Sequence, residues 1–279
     1  MANKTTTVAS RVGVFVDSAN ISMNGGRGMR FDVLREFAAR DGGEVVRLNV
    51  YVSYDERRAE EDPEYRRGQF QFHSILRDFG YKVIQKAVRW YRDEHGESVA
   101  KANVDLDMAV DLLLQSDKLD KIVLATGDGD FVQVVRALQN RGCRVELVAF
   151  DNVSTELRSE ADLFVSGYLI PNLLAIQDTE ASWGDIGSRV RGFCYYHSGK
   201  GYGFLRFIRE ISPGLWIVDT RRESSPYESV FFHDSKLPDN VSYLQLPSRN
   251  LIFEFTLAEP EPEGKSKFQA EEIRVVARL

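Results

Sequence analysis

Two uninterrupted apolar runs that end in aspartates constrain the fold of this chain more than any other feature. The first run covers residues 13–16 and ends at Asp17, and the second covers residues 121–126 and leads to Asp128 and Asp130. Continuous runs rich in β-branched residues are typical of strands buried on both faces of a parallel sheet. Ligands of such sheets bind beyond the carboxyl ends of the strands, so the two runs predict one shared acidic site.

Strand-like and helix-like runs alternate along the chain up to residue 171. Strand-like runs cover residues 13–16, 45–52, 81–85, 144–149 and 162–165, with another at Ile122, and helix-like runs cover residues 31–40, 65–79, 107–114 and 131–140, with another near Glu156. Gly142 follows the last long helical run, where a C-cap glycine is expected. This alternation predicts an α/β domain over residues 10–171, with a parallel sheet sandwiched by helices.

The pattern changes after a mixed connector at residues 172–188, for which we expect a linker with room for a short helix. Short aromatic-rich runs follow at residues 190–196, 202–208, 215–218, 229–232, 251–256 and 272–276, and Gly, Pro and Ser separate them. Runs of this kind predict a small all-β barrel or sandwich over residues 189–279. The length of 279 residues also favours two domains, because single domains usually hold roughly 100–200 residues.

Composition and missing motifs exclude several classes of protein. No apolar stretch approaches the ~18–20 residues of a membrane span, and the N-terminus lacks the apolar region of a secretory signal. Cys143 and Cys194 do not have the spacing of a metal site or a disulfide framework, so we expect a cytoplasmic protein with reduced thiols. There is no GxxxxGK[ST] motif, and the net charge of −6 means that any nucleic-acid surface must be local.

The acidic residues allow two interpretations. Asp130 could simply cap the helix predicted from Phe131. Against this, further acids, Asp105, Asp107 and Asp111, lie on or before one helix, and carboxylates gathered in a cleft repel one another unless a cation neutralises them. Oxygen ligands of this kind suit Mg²⁺ or Mn²⁺. Asp107 and Asp111 share a helix face at i, i+4, whereas Asp105 would reach the site from the N-cap position.

Three segments together resemble the LabA-like branch of the NYN domain, which belongs to the PIN-like nuclease superfamily: VFVDSAN at residues 14–20, KANVDLDMAVD at 101–111 and ATGDGDF at 125–131. The resemblance implies a metal-dependent phosphodiesterase site made of Asp17, Asn20, Asp105, Asp111, Asp128 and Asp130, in which the five aspartates bind Mg²⁺ or Mn²⁺. The second segment has one residue more between Lys and Val-Asp than the family pattern. The resemblance favours Asp105 as the ligand, helix-face spacing favours Asp107, and Asp107 is kept as a reserve ligand.

The C-terminal region resembles a cold-shock domain, an OB-type five-stranded barrel. The segments KGYGF at residues 200–204 and VFFH at 230–233 correspond to its two nucleic-acid-binding motifs, although Cys194 stands where a lysine is common and residues 205–229 form a longer connection. Exposed aromatics of such barrels stack on unpaired bases. The resemblance implies nucleic-acid contacts from Tyr195, Lys200, Tyr202, Phe204, Phe231 and His233. The alternative is that these aromatics form the barrel core.

A local basic strip lies at residues 82–101 and includes Trp90. Its cations are Lys82, Lys86, Arg89 and Lys101. Cations interleaved with aromatics suit single-stranded nucleic acid, and the alternative is a solvated charged face. These features favour a metal-dependent ribonuclease, an endonuclease that acts on single-stranded or structured RNA, with no membrane partner and with a homodimer left open. A non-catalytic RNA-binding regulator is the main alternative, and a nuclease acting on DNA flaps is a weaker one.

Overall fold

The computed structural model describes residues 9–92, 98–101, 104–177, 181–260 and 266–279. The described chain forms two compact units. The first contains residues 9–27, 42–149 and 153–164, and the second contains residues 28–41, 150–152 and 165–279. The domain boundaries predicted from the sequence stay a prediction.

Strands and helices alternate up to residue 169. The strands are β1 (Arg11–Asp17), β2 (Glu44–Tyr54), β3 (Lys82–Ala87), β4 (Arg89–Arg92), β5 (Ser98–Lys101), β6 (Lys121–Ala125), β7 (Arg144–Ala149) and β8 (Leu163–Ser166). The helices are α1 (Ser18–Met23), α2 (Phe31–Ala39), α3 (Glu56–Glu61), α4 (Pro63–Asp78), α5 (Val104–Gln115), α6 (Val132–Asn140) and α7 (Thr155–Glu160). Short 3-10 turns lie at Ser116–Lys118, Gly129–Phe131 and Gly167–Leu169. The sequence pattern missed the α1 and α3 helices, which are six residues each.

The main sheet has six strands in the order β3-β2-β1-β6-β7-β8. The pairs β2/β3, β1/β2, β1/β6 and β6/β7 are parallel. Strands β1 and β6 lie side by side in the middle, with Val16 opposite Ala125. Their carboxyl ends therefore meet, and this is the position at which the sequence placed Asp17 and the turn after Thr126. The predicted fold class is confirmed for this part of the chain.

The core of the first unit explains why β1 and β6 read as continuous apolar runs. All five residues of β6 are buried, and the buried part of β1 runs from Val12 to Asp17. The α6 helix presents Val132, Val135 and Leu138 to the same cluster at helical spacing. Gly142, with φ of 86°, follows α6 at the left-handed position that ends many helices. None of the described helices combines the length and apolar content of a membrane span.

The C-terminal strands close into a five-stranded barrel, which confirms the predicted small all-β fold. They are β9 (Arg189–His197), β10 (Tyr202–Ile208), β11 (Tyr227–His233), β12 (Ser248–Ala258) and β13 (Phe268–Arg278), in the cyclic order β10-β11-β13-β12-β9. The pair β11/β13 is parallel, and the other pairs are antiparallel. The core is formed by alternate inward-facing residues such as Leu205, Phe207, Val230 and Phe232.

One sequence prediction for this region is wrong, and the short helix allowed for in the connector is not found in its described residues. The apolar run at residues 215–218 is not a strand, because Gly214 adopts φ of 85° and Ile217 donates its N–H back to the Gly214 carbonyl, which makes a turn. The connector contains no helix within residues 172–177 and 181–188. There, Gly184 and Gly187 have φ values of 92° and 85°, which are incompatible with a helix interior.

Candidate acidic site and aromatic barrel face

Asp17 ends β1 and begins α1, and both roles fix its carboxylate. Its Oδ1 accepts the backbone N–H of Asn20 at 3.0 Å, which is the N-cap bond of the helix. Its Oδ2 accepts from the hydroxyl of Thr126 at 3.4 Å, across from the neighbouring strand β6. The residue is 4% exposed. A strand end that turns directly into a helix therefore holds a buried carboxylate at the carboxyl edge of the sheet.

Asn20 connects the two central strand ends. Its side-chain oxygen accepts the backbone N–H of Gly127 at 2.7 Å. The Asp128 N–H in turn donates to the hydroxyl of Thr126 at 3.2 Å. The first turn of α1 and the turn after β6 are thus held together, as expected for two parallel strands that end at one edge.

Asp128 shapes the turn that carries Asp130. Its Oδ1 accepts the Asp130 N–H at 3.0 Å, so Asp128 caps the 3-10 turn at Gly129–Phe131. The interpretation in which Asp130 is the cap is wrong, because the helical geometry begins two residues earlier than the apolar pattern indicated. A side chain at Gly129 would place its Cβ 2.9 Å from the hydroxyl of Ser154, the N-cap of α7. Only glycine fits between the two acids without displacing that cap.

Repulsion between carboxylates identifies four acids that share the site. Burial raises the pKa of Asp17 to about 6, and the negative charges of Asp105 and Asp128 add to the rise, while the Asn20 N–H and the Thr126 hydroxyl oppose it. Burial also raises the pKa of Asp105, with repulsion from Asp128 and Asp130 as further causes. Residues far apart in the sequence therefore form one electrostatic group: Asp17, Asp105, Asp128 and Asp130.

The other two acids of α5 are engaged elsewhere. The hydroxyl of Tyr51, which is fully buried on β2, donates to Asp111 Oδ2 at 2.8 Å. Lys86 on β3 places Nζ 2.6 Å from Asp107 Oδ2. The shared face of Asp107 and Asp111 is as predicted, but it turns toward β2 and β3. Asp105 is the α5 acid in the electrostatic group, and it lies in the first turn of the helix, so the predicted N-cap position is wrong.

Hard oxygen donors make the chemistry of this group suitable for Mg²⁺ or Mn²⁺. Within the described residues, no three His, Cys, Asp or Glu side chains converge closely enough to hold an ion as they stand. The acids approach closely enough for their charges to contribute to the raised pKa values of Asp17 and Asp105, but they are not drawn into coordination distance. The arrangement can do two things chemically: attract a divalent cation, and keep Asp17 protonated up to about pH 6 when no cation is present.

The basic strip folds in part as a hairpin that the sequence pattern missed. Strands β4 and β5 pair antiparallel with Arg89 opposite Lys101, and the side chains of these two residues lie outside the described part of the structure. Lys82 is exposed on β3, while Lys86 is occupied by Asp107. Trp90 is 42% exposed, and the Arg57 guanidinium lies 5.7 Å from its ring. Strands of only four residues give too little alternation to be recognised in a charged sequence.

Five of the six predicted barrel contacts lie together on the outer face of β9, β10 and β11. Register places Tyr202 opposite His233 and Phe204 opposite Phe231. The ring of Phe231 lies 5.9 Å from Tyr202 and 5.8 Å from Phe204. Tyr195 lies 6.4 Å from Phe204, and its hydroxyl hydrogen-bonds to Ser229 at 2.8 Å. The alternative in which these rings fill the core does not hold, since Leu205, Val230 and Phe232 occupy it.

Lys200 and two residues that the sequence analysis missed complete this surface. Lys200 is exposed in the turn between β9 and β10. Tyr196 is 47% exposed and lies 6.0 Å from Phe204, because a register shift on β9 brings two consecutive tyrosines to the outer face. Strict alternation would have placed only one of them there. Arg206 lies over the Tyr195 ring at 4.1 Å. Its place two residues after Phe204 was a signal that could have identified it.

The known proteins that are similar to this chain match its N-terminal part, which contains the acidic site. Residues 11–174 match the NYN domain family. The chain is 29% identical over 163 residues to the low amplitude and bright protein LabA of Synechococcus elongatus, over 56% of this chain and 83% of that protein. A crystal structure of a protein of unknown function from Vibrio parahaemolyticus is 27% identical, with a TM-score of 0.47 over 57% of this chain and 93% of that one. The matched residues include every acid of the site, and the cold-shock resemblance of the barrel stays a prediction.

Proposed function

Because this chain belongs to the NYN domain family, a branch of the PIN-like nuclease superfamily, we propose that it is a metal-dependent ribonuclease that cleaves phosphodiester bonds internally. The observation that carries the proposal is the grouping of Asp17, Asp105, Asp128 and Asp130 at the carboxyl ends of the central strands. The negative charges of their neighbours contribute to the raised pKa values of Asp17 and Asp105, and such repulsion is destabilising without a cation. Such a cost is common at functional sites.

In this mechanism a bound Mg²⁺ or Mn²⁺ ion would supply a water of lowered pKa and positive charge for the transition state. Asp17 and Asp128 would hold the ion, with Asp105 and Asp130 beside them. The Asn20 N–H and the Thr126 hydroxyl fix the orientation of the Asp17 carboxylate, and the Asp130 N–H does the same for Asp128. Asp111 is a further candidate ligand, and the buried hydroxyl of Tyr51 orients it, as hydrogen bonds usually orient metal-binding carboxylates.

We propose that the barrel binds single-stranded RNA through its outer aromatic face. Tyr202, Phe204 and Phe231 lie within stacking reach of one another, and His233 and Tyr196 extend the face. Base stacking on such rings tolerates any sequence and is worth about 1–3 kcal/mol per base. RNA is the proposed substrate, and single-stranded DNA would stack in the same way. The OB-type or cold-shock assignment belongs to this proposal.

A non-catalytic RNA-binding regulator is the alternative function. It is favoured by the engagement of Asp107 with Lys86 and of Asp111 with Tyr51, which leaves no ready group of three ligands in the described residues. In that case the acidic group would bind an ion without turnover or would serve only the fold.

The test is cleavage of end-labelled single-stranded and hairpin RNA with Mn²⁺, Mg²⁺ or EDTA, with matched single-stranded DNA in parallel. Asp128→Asn keeps a cap acceptor for the Asp130 N–H but removes the charge. Asp117→Asn is the matched control, because Asp117 is an exposed acid that pairs with Arg141. Tyr202→Ala tests the barrel face.

We expect metal-dependent cleavage that Asp128→Asn reduces by at least about a hundredfold, that Asp117→Asn leaves unchanged, and that Tyr202→Ala weakens through KM. RNA binding without cleavage in any of the metals would favour the regulator. A wild-type protein that neither binds nor cuts RNA would refute both functions. Preferential cutting of DNA would keep the nuclease and change its substrate.

A further inference from the structure

Arg206 extends the outer face of the barrel beyond the aromatic residues. It follows Tyr202 and Phe204 at alternate positions of β10, and so its side chain leaves the same face of the strand. Its register partners are Ser229 on β11 and Phe193 on β9. Positions two residues apart on a strand are about 6.6 Å apart, so Arg206 lies one step along the strand from Phe204.

The Arg206 guanidinium is buried without a polar partner in the described part of the chain. The residue is 8% exposed, and its Cζ lies 4.1 Å from the ring of Tyr195 and 5.8 Å from the ring of Tyr227. Among the described residues, no acceptor of a hydrogen bond from the guanidinium is found, and of its nitrogens only Nε is both fully enclosed and unpartnered. The edge available to a ligand is therefore that of the terminal nitrogens. Buried arginines normally have acceptors, since an uncompensated buried charge is costly.

Arg191 on the neighbouring strand shows what a structural arginine looks like in the same barrel. It is 9% exposed, its Nε donates to Glu254 at 2.9 Å, and its terminal nitrogens donate to the carbonyls of Leu174 and Ala175 at 3.3 and 3.4 Å. Arg206 has the same burial but none of these acceptors. The difference indicates that the acceptor of Arg206 is not part of the described chain.

The surroundings of Arg206 favour an anion as the missing acceptor. Desolvation lowers its pKa, the positive charge of Arg249 adds to the effect, and the rings of Tyr195 and Tyr227 and the charge of Asp219 oppose it. Burial raises the pKa of Tyr227, and the positive charges of Arg206, Arg249 and Arg40 oppose the rise. Asp219 offers little compensation, because Arg221 engages both of its oxygens. The local charge is therefore positive.

We infer that Arg206 binds a phosphate of the nucleic-acid strand that stacks on Tyr202, Phe204 and Phe231. This inference rests on the proposed RNA binding of the barrel and adds a backbone contact to it. Guanidinium groups bind phosphate oxygens with paired, charge-assisted hydrogen bonds. The two flanking rings hold the guanidinium in place, so little side-chain entropy is lost when the strand binds. Stacking would then position the bases, and Arg206 would fix the path of the backbone.

The experiment compares the full-length wild type with Arg206→Met and Arg206→Lys. Binding of fluorescent oligo-U, oligo-A and oligo-C RNA is measured over a series of salt concentrations, and the melting temperature is measured for each variant. Arg191→Met is the matched control, because that arginine has equal burial but a full set of partners. Arg278→Gln is the control for an exposed arginine of the same barrel, because its side chain donates only to the Asn240 carbonyl among the described residues.

We expect Arg206→Met to weaken binding about tenfold for all three RNAs. The negative slope of log K against log salt should become shallower by about 0.7, the value for one phosphate contact. Arg206→Lys should recover part of the slope, because it keeps the charge. The melting temperature of Arg206→Met should not fall, since an unpaired buried cation costs stability. Arg191→Met should melt at a lower temperature, and Arg278→Gln should bind as the wild type does.

Three results would overturn the inference. Unchanged affinity and slope in Arg206→Met would show that the strand does not reach the guanidinium. A lower melting temperature with unchanged binding would make Arg206 a structural residue. A loss confined to one of the three RNAs would indicate base recognition instead of phosphate binding. If the wild type binds none of the RNAs, the proposed RNA binding of the barrel fails. If the wild type and Arg206→Met bind RNA equally well, only the inference about Arg206 fails.

Discussion

Asp17 combines two roles with opposite effects on stability. Its carboxylate caps α1, which stabilises the fold, yet it is buried beside other acids, which raises its pKa from 3.8 to about 6. Since the folded pKa lies above the unfolded one, the folded state holds the proton more tightly. Stability is therefore greatest below pH 4 as far as this group is concerned, and it falls as the pH rises through 6.

We predict that, in EDTA, Asp17→Asn melts at a higher temperature than the wild type at pH 8 and that the difference shrinks toward pH 4. Asparagine keeps an acceptor for the cap. The largest expected gain is about 3 kcal/mol, from 1.36 kcal/mol per pKa unit. Melting curves across pH measure it, and Asp117→Asn should run parallel to the wild type. A gap between Asp17→Asn and the wild type that is constant with pH would contradict the assigned titration.

Tyr51 on β2 orients Asp111, a candidate ligand of the acidic site. Its buried hydroxyl donates to Asp111 at 2.8 Å, and burial and the charge of Asp111 raise its own pKa, so it stays a donor at every accessible pH. We predict that Tyr51→Phe costs about 1–2 kcal/mol of unfolding free energy and lowers Mn²⁺ affinity about tenfold. Urea denaturation and calorimetric titration measure the two effects. Unchanged Mn²⁺ affinity would remove Asp111 from the ligands.

Single glycines decide the packing of whole elements. A Cβ at Gly203 on β10 would lie 2.6 Å from the Phe232 ring and 2.8 Å from the Tyr196 carbonyl oxygen. At Gly68, inside α4, a Cβ would meet nothing within 4 Å. We predict that Gly203→Ala destabilises the barrel by about 1–3 kcal/mol, whereas Gly68→Ala stabilises by up to about 1 kcal/mol. Urea titrations of both variants measure this, and equal shifts would argue against the close approach at Gly203.

Elements with strong periodicity could be predicted from the sequence, and short or bent ones could not. The α4 and α6 helices carry apolar residues at helical spacing, and β1 and β6 are buried on both faces, so their patterns are clear. The β4/β5 hairpin has four residues in each strand, and the run at 215–218 looks like a strand until the turn at Gly214 is known. Local pattern fails where one backbone angle decides the structure.

At the scale of the whole molecule, the sequence could predict that acids from separate strands meet, but not which neighbour each acid of α5 contacts. Parallel strands that end at one edge bring Asp17 and Asp128 together, and this follows from topology alone. The separation of Asp105 from Asp111 depends on which neighbour each meets, Asp128 in one case and Tyr51 in the other. Those contacts join residues far apart in the sequence, and helix-face spacing carries no information about them.

The connector shows the same limit, because its composition suggested a linker while its hydrogen bonds tie it to the barrel. Trp183 donates its ring N–H to the Ile208 carbonyl at 2.8 Å, and Gly187 donates to the Leu257 carbonyl at 2.7 Å. The carbonyls of Leu174 and Ala175 accept from Arg191. A barrel that begins at residue 189 would lose the two donors and the two acceptor carbonyls that the connector supplies.

We therefore predict that a fragment of residues 165–279 unfolds at a higher urea concentration than one of residues 189–279, with a cooperative transition. The shorter fragment leaves Arg191 with Glu254 as its only acceptor among those described, and losing buried hydrogen bonds of this kind costs about 1–3 kcal/mol each. Arg191→Met should destabilise the longer fragment more than the shorter one, since only the longer retains the carbonyl partners. Equal midpoints for the two fragments would instead support the boundary at residue 189, and would make residues 172–188 the linker that their composition indicates.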